Sequence, residues 1–219
     1  MFSRVITISF LAILLNIPDV NSQYVESDWK DRDKWMNVTE IFRMAGLRIG
    51  NNVADIGCHE GYMSFHLADF IGETGKVYSV DVREDRLNEL NEIAAKRGIG
   101  NIQTILGDYH DPKLQENTMD VVFIIDSYHE MFDYSEILEH VKKALKPNGR
   151  ILILEKLKRH MIGKSREEQT KAHTISPEHV EKELKDAGFV VTLLRKDLGF
   201  WEADPDKKIW VMVGVLTQS

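Results

Sequence analysis

Short apolar runs recur along the chain, separated by turns that carry glycine or an acid. Residues 53–56, 76–81, 101–106, 120–126 and 150–154 have strand length. The run Asp120-Val121-Val122-Phe123-Ile124-Ile125-Asp126 is nearly continuous, as expected of a central strand covered on both faces. Between these runs the apolar residues of 62–68, 84–97 and 134–145 recur at helical spacing. A further helix is predicted over 35–45, with Gly46 as its C-terminal cap. Another begins at Ser176-Pro177, with serine capping and proline in the first turn, and ends at Gly188. The last two apolar runs, 189–194 and 208–216, have no helix between them and are expected to pair antiparallel. The pattern predicts an α/β fold: a doubly wound, mostly parallel seven-stranded sheet with a C-terminal antiparallel hairpin.

The N-terminus breaks this pattern. Arg4 precedes an almost wholly apolar run over 5–17, stopped by Pro18. That run is short of the roughly 20 residues that span a bilayer. With Val20-Asn21-Ser22 behind it, the stretch 1–22 reads as a signal peptide cleaved after Ser22, or as an uncleaved membrane anchor. The expectation is an exported chain whose residues 23–219 form a single domain, with membrane tethering or a cytoplasmic location as the alternatives. Residues 23–34 are polar and charged and read as a linker or surface arm.

Composition narrows the classes. The chain has 219 residues, 43% hydrophobic and 29% charged, as in ordinary globular proteins. Its formal net charge of -7 argues against a general nucleic-acid binder. The single cysteine, Cys58, rules out an intrachain disulfide and a multi-cysteine zinc site.

Candidate chemistry gathers at strand ends. Asp55-Ile56-Gly57-Cys58-His59-Glu60-Gly61 reads as a strand that breaks into a glycine turn and then a helix. Such a turn brings backbone close to a ligand and aims a helix N-terminus at it. The nicotinamide fingerprint GxGxxG is absent. Asp55, Asp81, Asp108 and Asp126 lie at or just past four successive strand ends, and in a parallel sheet they converge on one rim.

These features together resemble the class I S-adenosylmethionine-dependent methyltransferases. The residues that carry the resemblance are Asp55-Ile56-Gly57 with Gly61, Val80-Asp81, Gly107-Asp108, Asp126 with its apolar strand, Lys146-Pro147-Asn148-Gly149-Arg150 and the terminal hairpin. The resemblance implies S-adenosyl-L-methionine as cofactor. It assigns Asp55 to the methionine ammonium, Gly57 and Gly61 to close backbone approach, and Asp81 to the ribose hydroxyls. Asp108 would take the adenine amine, with Leu106 and Tyr109 sandwiching the ring, and Asp126 would lie near the sulfonium. Cys58, His59, Val82 and Gly107 complete the expected cofactor contacts. His59 departs from the family, which often has glycine there.

After the fourth strand comes Asp126-Ser127-Tyr128-His129-Glu130. His129 is the candidate general base because imidazole titrates near neutrality; capping the next helix is the competing role. Tyr128 would cover the cofactor or pack. Six Lys or Arg between Lys156 and Lys171, against Glu167 and Glu168, read as a positive lid over an anionic acceptor or as a solvated face. No spacing of His and acids demands a metal. The expected activity is methyl transfer to a small-molecule acceptor. The alternatives are a catalytically silent cofactor-binding or interaction protein on the same fold and, less favoured, a nicotinamide-dependent oxidoreductase. Membrane contact is expected only through an uncleaved N-terminal segment, and oligomeric state is not legible.

Overall fold

The computed structural model describes residues 26–216. The signal-peptide expectation for residues 1–22 lies outside the described residues. Among those described, no helix is long and apolar enough to cross a membrane.

The order of elements is α1 (Trp29–Arg32), α2 (Val38–Ala45), β1 (Asn52–Ile56), α3 (Tyr62–Ile71), β2 (Lys76–Asp81), α4 (Glu84–Arg97), β3 (Ile102–Leu106) and β4 (Met119–Ile125). There follow α5 (Tyr134–Ala144), β5 (Leu145–Lys158), α6 (Arg166–Lys171), α7 (Pro177–Asp186), β6 (Phe189–Arg195) and β7 (Lys207–Leu216). The seven strands form one sheet in the order β3-β2-β1-β4-β5-β7-β6. Strands β1 to β5 pair in parallel, while β7 runs antiparallel between β5 and β6. The predicted doubly wound sheet and terminal hairpin are both present.

Alternation along the strands divides the core in two. Val53, Val121, Phe123, Leu152 and Val211 pack with α2, α3 and α4 on one face. Ala54, Ile56, Val122, Ile124, Ile153 and Met212 pack with α5 and α7 on the other. Strand β1 lies between β2 and β4, so the winding reverses there. A ligand crevice forms at such a reversal, beyond the carboxyl ends of the strands.

Three local expectations are corrected. The helix predicted from residue 35 starts at Val38, because the Asn37 side chain accepts the Glu40 N–H and caps it. Strand β5 runs to Lys158, since β7 supplies partners through Glu155↔Trp210, Lys156↔Ile209 and Lys158↔Lys207. The stretch before α2 is no linker: Trp29 is buried, and its indole Nε1 donates to Glu60 at 3.2 Å.

Candidate functional site

The turn after β1 takes its shape from backbone constraints. Gly57 has φ +78, and a Cβ there would come within 2.5 Å of the Ser127 side chain. Ser127 in turn donates to the Ile56 carbonyl at 3.0 Å, so the end of β4 is clamped to the end of β1. Gly61 has φ +99 and would press a Cβ on Leu90 at 2.8 Å. Between them His59 also has φ +51, in the region that favours glycine. The family's glycine preference at this place therefore has a backbone cause, and the histidine tolerates that conformation here. Its Nδ1 contacts Glu60 Oε2. Burial, with Arg86, Arg83 and Arg32 nearby, lowers its pKa to about 4, which keeps it neutral.

Asp55 lies inside β1, 1% exposed, and does not stand on the rim. Its Oδ2 accepts from Ser64 at 2.6 Å, and Ser79 donates onward to Ser64 at 2.7 Å. Burial raises its pKa to about 6. Asp55 thus locks α3 onto β1 and β2. Cys58 is buried, and burial pushes its thiol well above the usual range, so it packs and is no nucleophile.

Asp81 ends β2 and meets the turn directly. Its two oxygens accept from the backbone N–H groups of His59 and Arg83, each at 2.9 Å. A carboxylate has about four acceptor sites, so two such bonds leave capacity for hydroxyl donors. Beside it Val82, Leu106 and Tyr109 are 39%, 45% and 69% exposed, apolar surface left uncovered at the same edge. Gly107 donates its N–H to the Asp81 carbonyl at 3.0 Å. Asp108 turns part of its carboxylate inward: Oδ1 accepts from His110 N at 2.9 Å and Asp111 N at 2.8 Å. Those two bonds lower its pKa.

The β4–β5 end is ionic. Asp126, with φ +54, is paired with the buried Lys156 ammonium. Burial pushes the Asp126 carboxyl up against the pull of Lys156. Glu155, fully buried, accepts from the His129 backbone N–H and from its ring Nδ1, all at 3.0 Å. Burial alone would lower the His129 pKa, but Glu155, aided by Asp126, outweighs it and the net shift is upward. Lys156 also lies 4.8 Å from the Trp201 ring centroid. Trp201 packs on Trp35, and Arg32 sits 4.1 Å over Tyr62 and 5.3 Å over Trp201. The segment before α2 is thereby strapped across both ends of the site, and Asp33 adds a bond from Tyr62 at 2.8 Å.

For Tyr128 and for the basic stretch the geometry favours the second of the two roles read for each. Tyr128 is fully buried, and its hydroxyl donates to Glu183 at 2.9 Å. It anchors α7 and has no surface to offer a cofactor or acceptor. The basic stretch is likewise paired locally, as the reading of a solvated face expects. Lys156 binds Asp126, Lys158 the Ala172 carbonyl, Arg159 Asp206, Lys164 Glu168, Arg166 Glu183 and Lys171 Glu167. Sequence reasoning missed Glu155, although it follows the apolar run 151–154 as Asp126 follows 121–125. It also missed Trp29, Arg32 and Glu60, whose meeting depends on contacts across 30 residues. Two cavities, of about 580 and 570 Å³, lie elsewhere: one beside α2 and α3 around Trp35, Phe42 and His66, the other around Leu157, Pro177 and Trp210.

The chain is 27% identical over 124 residues to a demethylmenaquinone methyltransferase of Bacillus mycoides, covering 57% of this chain and 52% of that one. It is 30% identical over 122 residues to the ubiquinone/menaquinone biosynthesis C-methyltransferase UbiE of Ectopseudomonas mendocina, covering 55% and 47%. The chain thus spans about half the length of the curated relatives it matches. A crystal structure of a SAM-dependent methyltransferase from Aquifex aeolicus superposes with a TM-score of 0.71 at 24% identity, over 89% of this chain and 100% of that one, and so shares its fold. The sequence pattern of the methyltransferase domain matches residues 48–188, which include the glycine turn, Asp81, Asp108 and the His129–Glu155 pair. This chain belongs to the methyltransferase-domain family.

Proposed function

We propose that this chain transfers a methyl group from S-adenosyl-L-methionine to a small-molecule acceptor. The observation that carries the reading is Asp81: a carboxylate held rigidly by His59 N–H and Arg83 N–H beside exposed Val82, Leu106 and Tyr109. A vicinal diol next to a flat heteroaromatic ring fits that pairing of acceptors and apolar faces. Asp81 would take the ribose hydroxyls, Val82, Leu106 and Tyr109 the adenine faces, and Asp108 its amine. The turn 57–61 would lie along the methionine portion. When bound, the cofactor supplies an electrophilic methyl on a sulfonium.

What the chain adds is alignment and exclusion of water, which together are worth roughly 7–11 kcal/mol in well-oriented reactions. The strap through Trp29, Arg32 and Trp35 holds the turn, and the Ser127 clamp fixes the β4 end against it. Where the acceptor must lose a proton, His129 takes it at Nε2 while Glu155 holds Nδ1 in place. The raised proton affinity of His129 makes such a reaction faster as pH rises through its pKa.

Calorimetric titration with S-adenosylhomocysteine tests the cofactor reading, with micromolar binding expected. Absence of binding would sink it, and nicotinamide binding in its place would favour an oxidoreductase. Methyl transfer to demethylmenaquinone, the acceptor named for the Bacillus relative, is the first turnover to measure, followed by a panel of small phenols and amines. Binding without turnover on any of them would favour a silent cofactor-binding protein.

A further inference from the structure

A second constellation lies just past the carboxyl end of β4. His129 and Glu130 follow β4 in one tight turn, and His173 follows α6. His129 Nε2 lies 3.7 Å from Glu130 Oε1, and His173 Nδ1 lies 3.6 Å from the same oxygen. The two imidazoles stand nearly perpendicular with centroids 5.8 Å apart. All three ligand atoms fall within 4.8 Å of one another. Donors bound tetrahedrally to one ion at nitrogen and oxygen distances stand roughly 3.4 Å apart, so only small side-chain adjustments separate this set from a coordination shell.

We propose that His129, Glu130 and His173 bind one divalent first-row transition ion. Three features support it. First, His129 is held as metal-binding histidines are: its Nδ1 faces the buried Glu155 carboxylate at 3.0 Å, which fixes the tautomer and turns Nε2 outward. Second, His173 has φ +50, in the left-handed region that favours glycine. It nevertheless brings its ring to the same oxygen. Third, Glu130 and His173 are 65% and 69% exposed while His129 is 3% exposed. One side of the ion would be buried and the other open for water or an oxygen-bearing acceptor. Two imidazoles and one carboxylate, with no thiolate, suit zinc, iron(II), cobalt(II) or manganese(II) rather than copper(I).

The neighbouring set Asp126, His129 and Glu155 also has suitable atoms. It is already neutralised, because Lys156 holds Asp126 and His129 holds Glu155. Binding of the ion stands on these residues alone. Its service to a methyl acceptor, as a Lewis acid on the acceptor oxygen in place of proton removal by His129 Nε2, which the ion would occupy, rests on the function proposed above.

The test uses the tag-free full chain, stripped with chelator and free of any nucleoside. Zinc is titrated by calorimetry and cobalt(II) by its visible ligand-field bands. One equivalent is expected to bind, and His173→Ala and Glu130→Gln, both at exposed positions, should each weaken it about tenfold or more. His110→Ala removes another histidine flanked by carboxylates, Asp133 at 3.2 Å and Glu136 at 3.4 Å, and should leave both titrations unchanged. No saturable binding, binding indifferent to His173→Ala and Glu130→Gln, or loss in His110→Ala would each overturn the site. A chain that binds the ion yet transfers no methyl group would keep the site and reject the methyl-transfer reading instead.

Discussion

The β1–β2 and β4–β5 ends of the sheet use acidic residues in opposite ways. At the β1–β2 end, Asp55 and Asp81 are satisfied by neutral donors: Ser64 for one, the His59 and Arg83 backbone for the other. At the β4–β5 end, Asp126 and Glu155 face cationic partners, Lys156 and His129. Neutral donors leave a carboxylate with spare acceptor capacity, which suits recognition of hydroxyls. Buried cations consume it and place a balanced charge cluster in a dry setting, which suits holding an imidazole in one orientation. A strand-end acid is therefore a position, and the groups packed around it decide its work.

The contrast can be broken most forcefully at the ionic end. Glu155→Ala leaves the buried His129 without its acid, and loss of one partner of a buried pair typically costs about 3–5 kcal/mol. Urea unfolding would measure it, and a loss below about 1 kcal/mol would mean that the cluster is not coupled. Lys156→Met should be comparably damaging, and adding Asp126→Asn to it should recover part of the loss.

Next in size is a pH effect at the neutral end. Asp55 titrates at about 6 when folded, against an ordinary 3.8. Between those values the folded chain holds a proton that the unfolded chain releases. Stability from this group is greatest below its ordinary pKa, falls as pH rises, and levels off above the folded value. Asp55→Asn removes that slope. The mutant should gain on the parent by about 2–3 kcal/mol between about pH 4 and pH 7. A constant difference across that range would show that the carboxyl is not desolvated.

Asp81→Asn sharpens the recognition side. One oxygen becomes an amide, which must lose either a backbone bond or a ligand hydroxyl. S-adenosylhomocysteine affinity should fall about 10- to 100-fold in calorimetry, with a smaller change in thermal midpoint. The smallest effect is expected for His59→Gly. Relief at φ +51 is offset by the greater chain entropy of glycine, so stability should move by less than about 1 kcal/mol and ligand binding should persist. Loss of binding in that variant would make His59 a ligand contact in its own right.

Much of this was legible in the linear chain. Apolar periodicity placed α4 at its observed bounds, 84–97, and found all seven strands, because burial on one or both faces of an element leaves a period that needs no tertiary information. The turn 57–61 was readable because left-handed backbone selects glycine. The alternation of strands and helices, with its late hairpin, determined the sheet. Tertiary structure alone decided that Asp55 faces Ser64, that Tyr128 anchors α7, and that the basic residues of 156–171 are matched one by one. Only packing strapped Trp29 and Arg32 over the turn. Partner choice depends on residues tens of positions apart meeting at contact distance, and no local period records those meetings.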